Sequence, residues 1–128
     1  CVLVTPDNVM LSSYNGTPSG WDNRCEDVHE TELFEHLVTK PTVIHAELNA
    51  ILNSIKSLKG CTVYVTHFPC NECAKAIVQS KISRVIYLSD KHKDKDSFKA
   101  SKRILENAGI KIEKISFGSK KIILDFYN

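Results

Sequence analysis

At 128 residues, with 42% hydrophobic and 25% charged side chains, the chain has the size and balance of one folded domain with a real core. No apolar run approaches the roughly 18 residues that span a bilayer, and no secretory leader is visible, so a membrane role is not expected. Seventeen basic against fifteen acidic residues leave a net charge of +2. That is too even for a long polyanionic partner, which calls for a clustered basic excess, but it suits a small anionic ligand.

Five cysteines, Cys1, Cys25, Cys61, Cys70 and Cys73, make an odd set in a composition unlike that of a small stapled domain. This predicts a reducing, cytoplasmic setting, where Cys-x-x-Cys serves metal or catalysis rather than a structural disulfide.

CVLVT (1–5) and VMLSSY (9–14) read as two strands, with Pro6, Asp7 and Asn8 as turn residues of a hairpin. The first starts as if in mid-strand and without Met, so an N-terminal segment, carrying some substrate contacts, is expected before it. NGTPSGWDN (15–23) is loop. A short helix is expected over ETELFEHLV (30–38). After Pro41, HAELNAILNSIKSL (45–58) sets Ala46, Ala50, Ile51, Ile55 and Leu58 at helical spacing, with Gly60 as the stop. CTVYVT (61–66) is a β-branched, buried strand. CNECAKAIVQS (70–80) is a helix opened by Pro69, and RVIYLS (84–89) is a further strand. KHKDKD (91–96) is a charged loop, and SFKASKRILENAG (97–109) is an amphipathic helix ending in Gly. IKIEKISF (110–117) alternates as a strand, and KIILDFY (121–127) offers one more. Strands alternating with helices imply parallel pairing through crossovers, and the opening hairpin makes the sheet mixed, an α/β domain over 1–128.

In PCNEC (69–73), Cys70 and Cys73 stand three apart and share a helix face, so both sulfurs can reach one ion. The helix N-terminus favours thiolate, the form that binds metal. Taken alone, the pair fits a zinc corner, a redox pair or two core thiols. His45 alone reads as a capping or core histidine. However, it opens the helix before strand 61–66 and Cys70 opens the helix after it, so the topology brings them to one sheet edge. Three ligands leave a fourth position for water, the mark of catalytic rather than structural zinc. Cys25, His29, His36 and Cys61 lack a matching spacing. Glu47, two residues past His45, points away from it on an ideal helix, yet at the first turn its longer side chain can reach a bound water and move its proton.

H-x-E…P-C-x-x-C is the signature of zinc deaminases acting on cytosine or adenine bases, and it stands here as HAE (45–47) and PCNEC (69–73). With SYNGTPSG (13–20), HAELNAIL (45–52), YVTHFPCNECAKAIVQSKISRVIYLSDK (64–91) and AGIKIEKI (108–115), the chain resembles the deoxycytidylate (dCMP) deaminases over most of its length except 21–41. The resemblance implies a cytidine deaminase-like three-layer α/β/α fold with a mixed, about five-stranded sheet. It also implies conversion of dCMP to dUMP for thymidylate synthesis. His45, Cys70 and Cys73 would hold one catalytic Zn2+. Glu47 would take a proton from water that attacks C4 of cytosine and return it to N3 and the departing ammonia.

The resemblance further implies a nucleotide contact at Asn15 and an effector loop at Tyr14 and Gly16. It implies a homo-oligomer (hexamer or dimer), and dCTP and dTTP as effectors with Mg2+ on the nucleotide. Ser13 stands where the family usually has Gly, which narrows that loop. The backbone of Ala46 and the carbonyls before Pro69 are candidates to meet the base. Phe68 would flank it or pack in the core. His67 could touch the nucleotide but reads rather as surface, and the mixed run KHKDK reads as a solvated loop rather than a phosphate site. Some relatives hold a second, structural Zn2+ through this poorly matching region, for which Cys25, His29 and His36 are the candidates. The rival readings are a deaminase of dCTP or of both nucleotides, a tRNA or polynucleotide deaminase, which would want a basic groove with aromatics, and a non-catalytic zinc module, which would not require Glu47.

Overall fold

The computed structural model describes residues 1–30, 35–39, 41–118 and 123–125, with only the backbone described for 27–30 and 35–39. Along the chain run β1 (Val2–Val4), β2 (Met10–Ser12), β3 (Glu26–Glu30), β4 (Glu35–Thr39), α1 (Ala46–Leu52), β5 (Thr62–His67), α2 (Asn71–Gln79), β6 (Arg84–Ser89), α3 (Asp96–Asn107) and β7 (Lys111–Lys114). A five-stranded sheet has the order β2-β1-β5-β6-β7. β1 is antiparallel to β2 and β5, while β5, β6 and β7 are mutually parallel. The expected α/β fold with a mixed five-stranded sheet is borne out.

Both parallel crossovers, β5-α2-β6 and β6-α3-β7, step the same way across the sheet. Such connections are almost always right-handed, so α2 and α3 share one face. α1 packs beside α2. Val63, Val65 and Val85 of the strands meet Ala74, Ile77 and Leu105 of the helices in one core, with Leu3, Val63, Ala74, Ile77, Val85 and Leu105 all at 0% exposure. α3 stops because Gly109, at φ +74°, takes the left-handed turn that lets the Ile110 N–H reach the Leu105 carbonyl at 3.1 Å. No helix among the described residues is long and apolar enough to cross a membrane.

Two expectations are corrected. The helix over 30–38 gives way to a β-hairpin: β3 and β4 pair antiparallel over five registered positions, from Glu26↔Thr39 to Glu30↔Glu35. The Leu and Phe spacing that suggested a helix is overridden by strand pairing, which local pattern cannot report. Residues 31–34 lie outside the described residues. The second helix ends at Leu52 rather than running to 58. The Asn53 amide turns back on the Asn49 carbonyl at 2.9 Å, and the Lys56 N–H bonds the Ser54 hydroxyl. Short polar side chains thus offer the backbone an alternative to the next turn. Ile55 is left 98% exposed, and Gly60, at φ +77°, belongs to the turn into β5. Of the strand expected over 121–127, only 123–125 are described, and they are irregular.

Candidate active site

The carboxyl end of β5 delivers Phe68, Pro69 and Cys70 to the point where α1 and α2 begin. Cys70 is the N-cap of α2 and its carbonyl accepts the Ala74 N–H at 2.9 Å, while Cys73 lies one turn inside, 2% exposed. His45 is the N-cap of α1, a seven-residue helix. His45 Nδ1 stands 3.5 Å from Cys70 Sγ and 3.6 Å from Cys73 Sγ, and the ligand atoms of the three residues all lie within 4.8 Å of one another.

This donor set passes a geometric test for zinc. Zn–S bonds of about 2.3 Å and Zn–N bonds of about 2.0–2.1 Å at tetrahedral angles put sulfur and nitrogen about 3.6 Å apart. The two S···N separations match that figure. Among the described residues this is the one grouping of three His, Cys or acidic ligand atoms close enough to hold a metal. The Cys70 thiol is pushed down to about 4, chiefly because it accepts the Cys73 S–H and also through His45. That same hydrogen bond, with burial and the nearby Glu47, pushes Cys73 up. His45 is raised by its hydrogen bond to Cys70. Burial raises the Glu47 carboxyl above the ordinary range.

A cavity of about 400 Å³ opens over this cluster, lined by His45, Ala46, Glu47, Phe68 and Cys70 together with Asn15. Phe68 lies at the border of core and cavity. Its ring packs edge-on against Tyr87 at 4.9 Å and 84°, inside the core, and also forms cavity wall. The Ala46 N–H is taken by Asn15 Oδ1 at 2.9 Å, so Asn15 caps α1 from 31 residues away. Next to it, Gly16 pairs with Ile44 through bonds of 3.1 and 2.7 Å, and Asn49 Nδ2 donates to the Tyr14 carbonyl at 3.2 Å. A Cβ at Gly16 would stand 3.2 Å from that Asn49 nitrogen, which is why the loop comes so close to α1 there. Tyr14 and Gly16 turn to a different cavity, of about 450 Å³, lined also by Ser13, Trp21, Asn49 and Asn53.

Two readings of the sequence are extended by the structure, and one feature went unread. His67, read as surface, also lines the first cavity. Of the run KHKDK, read as a solvated loop, Lys91 and His92 line it as well. The Ser101 hydroxyl, at 0% exposure on α3, donates to the Pro69 carbonyl at 2.7 Å. Of the candidates for a second metal, Cys25 Sγ lies against the Asn15 and Asn23 carbonyls at 3.9 and 3.8 Å. The side chains of His29 and His36 lie outside the described residues.

Residues 1–89 match the family described as "Cytidine and deoxycytidylate deaminase zinc-binding region". The chain belongs to the cytidine and deoxycytidylate deaminase family. It is 37% identical to mouse deoxycytidylate deaminase, over 98% of the chain and 71% of the mouse protein. It is 40% identical to a probable deoxycytidylate deaminase of Drosophila melanogaster, over 98% of the chain and 65% of that protein. Among solved structures of this deaminase family, the cyanophage S-TIM5 dCMP deaminase in complex with dCMP and dUMP superposes with a TM-score of 0.68. That likeness is at 31% identity, over 89% of this chain and 78% of that one.

Proposed function

We propose that this chain is a zinc-dependent hydrolase that deaminates dCMP to dUMP, the precursor of thymidylate. The observation that carries this reading is the convergence of His45, Cys70 and the buried Cys73 at separations that suit zinc, beside a cavity that His45, Cys70 and Glu47 line. It is supported by relatives named as deoxycytidylate deaminases and by a structural neighbour crystallised with dCMP and dUMP.

His45, Cys70 and Cys73 are the metal ligands in this reading. When bound, zinc supplies a Lewis acid that makes hydroxide available at neutral pH. Glu47 accepts one proton of the attacking water and delivers it to N3, where it stays, and then carries the remaining proton of the oxygen now on C4 to the exocyclic amine. A C–O bond thus forms at C4, the C–N bond breaks and ammonia leaves. The partly buried position of Glu47 raises its proton affinity, which suits a group that must both take and return a proton. Phe68 and the Ala46 backbone bound the base, and Asn15, whose Nδ2 has no hydrogen bond among the described residues, contacts the nucleotide. Holding C4 close to the attacking oxygen is itself a large part of the rate.

Control by dCTP and dTTP, with Mg2+ on the nucleotide, belongs to the same reading. The second cavity, with Ser13, Tyr14 and Gly16 on its wall, supports an effector role for that loop. A homo-oligomeric, cytoplasmic enzyme completes it, and a second, structural zinc would draw on Cys25, His29 and His36.

The test is ultraviolet-monitored deamination of dCMP, dCTP and deoxycytidine, with zinc content measured in parallel. Turnover of dCMP well above the other two carries the reading. Zinc without turnover of any of the three overturns it in favour of a polynucleotide substrate or a binding role.

A further inference from the structure

The middle of α1 holds a residue that suits a helix poorly. Asn49 stands inside a seven-residue helix, where asparagine is a weaker former than alanine or leucine because its short carboxamide competes for backbone groups. It is half-buried, and both ends of the carboxamide are engaged. Nδ2 donates to the Tyr14 carbonyl at 3.2 Å, and Oδ1 accepts from Asn53 Nδ2 at 3.0 Å. The partner settles which way the amide faces: a carbonyl only accepts, so the group against Tyr14 is the NH2.

The Tyr14 carbonyl belongs to the peptide that enters Asn15. On the other flank, Gly16 exchanges two backbone bonds with Ile44, directly before His45. Asn15 is thus clasped on both sides against the start of α1. Ile44 holds it ahead of the metal ligand His45, and Asn49 holds it one turn later, where the Asn49 N–H bonds the His45 carbonyl at 2.9 Å. Of the two clasps, only that of Asn49 is made by a side chain. Among the described residues the Asn15 carboxamide meets one partner, the Ala46 N–H at Oδ1, and the residue lines the catalytic cavity. Asn49 does not line that cavity but the neighbouring one.

We infer that Asn49 is a positioning residue: by holding the Tyr14–Asn15 peptide it aims the Asn15 carboxamide, so that Oδ1 meets Ala46 and Nδ2 meets the nucleotide. The second half of that aim rests on the deaminase reading; the first half does not. Asn49 acts from behind the wall, and its loss leaves every group that touches zinc or nucleotide in the chain but lets one of them swing.

Ala46 is the first residue of α1, so its N–H has no partner within the helix, and Asn15 Oδ1 is its acceptor. Hydrogen exchange at that amide, read by NMR on the zinc-loaded protein, therefore reports the aim of Asn15. Asn49→Leu keeps the size of the side chain, is the better helix former and removes the donor. In it the Ala46 amide exchanges about tenfold faster, the scale of one hydrogen bond, while zinc content and melting temperature stay near wild type. KM for dCMP, and Kd for dUMP by calorimetry, rise about three- to tenfold with kcat little changed. In the Asn15→Asp background the same substitution adds nothing to KM, because the donor it aims is already gone. Asn49→Asp, which keeps the shape and the acceptor but not the donor, repeats the test without an apolar side chain at this half-buried position. Unchanged Ala46 exchange in both variants overturns the proposal, and so does a rise in KM that is undiminished in the Asn15→Asp background. If wild type turns over no dCMP, the deaminase reading fails by itself, and Ala46 exchange still decides whether Asn49 aims Asn15.

Discussion

The Ser101 hydroxyl donates to the carbonyl of Pro69, 32 residues away, at 2.7 Å in a fully buried contact. Pro69 directly precedes the N-cap Cys70, so α3 clamps the peptide that presents the first thiol. A mid-helix serine more often bonds its own helix or solvent. Ser101→Ala leaves the Pro69 carbonyl buried without a donor and destabilises the fold by about 1–3 kcal/mol. Thermal unfolding of the zinc-loaded variant checks this. Faster surrender of zinc to a chelator than in wild type is expected alongside it, and unchanged stability and zinc retention would contradict the clamp.

In the proposed reading Asn15 has two separable tasks. Its Oδ1 caps α1 through the Ala46 N–H, and its Nδ2 is available to the nucleotide. Asn15→Asp keeps the acceptor and removes the donor, so its melting temperature stays near wild type while kcat/KM for dCMP falls. Asn15→Ala loses both, with an added destabilisation of about 0.5–2 kcal/mol typical of a lost N-cap. Equal stability of the two variants would show that the cap is not needed.

Glu47→Gln keeps the shape of the side chain and removes its ability to accept a proton. Zinc content is expected to stay at the wild-type level, and kcat for dCMP to fall by about 10²–10⁴, the range for a lost general acid–base group. Activity within about tenfold of wild type would remove Glu47 from the proton path.

How much of this was legible in the sequence depends on the kind of constraint. His45, Glu47, Cys70 and Cys73 were readable because metal chemistry fixes their spacing, and because alternating strands and helices bring two helix N-termini to one sheet edge. β6 was read to the residue, since RVIYLS is a compact β-branched and aromatic run between polar breaks. The β3–β4 hairpin was not, because pairing of Glu26–Glu30 with Glu35–Thr39 is non-local and outweighs a helical apolar spacing. Ser101 carries no local signal at all, being a serine inside a helix to which only the packing of α3 gives its place.

The hairpin turn that ends β1 gives a pH-dependent contribution. The Thr5 hydroxyl, on a residue 7% exposed, accepts the Val9 N–H at 2.9 Å and donates to the Asp7 carboxylate, which holds that carboxyl below its ordinary value. A depressed folded pKa means stability that is present above about pH 3.9, the unfolded Asp value, and is lost as pH falls through the folded one. The melting-temperature advantage of wild type over Asp7→Asn is therefore expected at pH 7 and expected to shrink below pH 4. An advantage constant across that range would assign it to shape rather than charge.

The most direct test of the central claim is metal removal and return. Protein stripped of zinc by a chelator, with its metal content measured, should lose dCMP turnover and recover it as the His45, Cys70 and Cys73 site refills with zinc. Cys70→Ser should neither retain the metal as tightly nor recover. Full turnover of dCMP by protein verified to be metal-free would contradict the account.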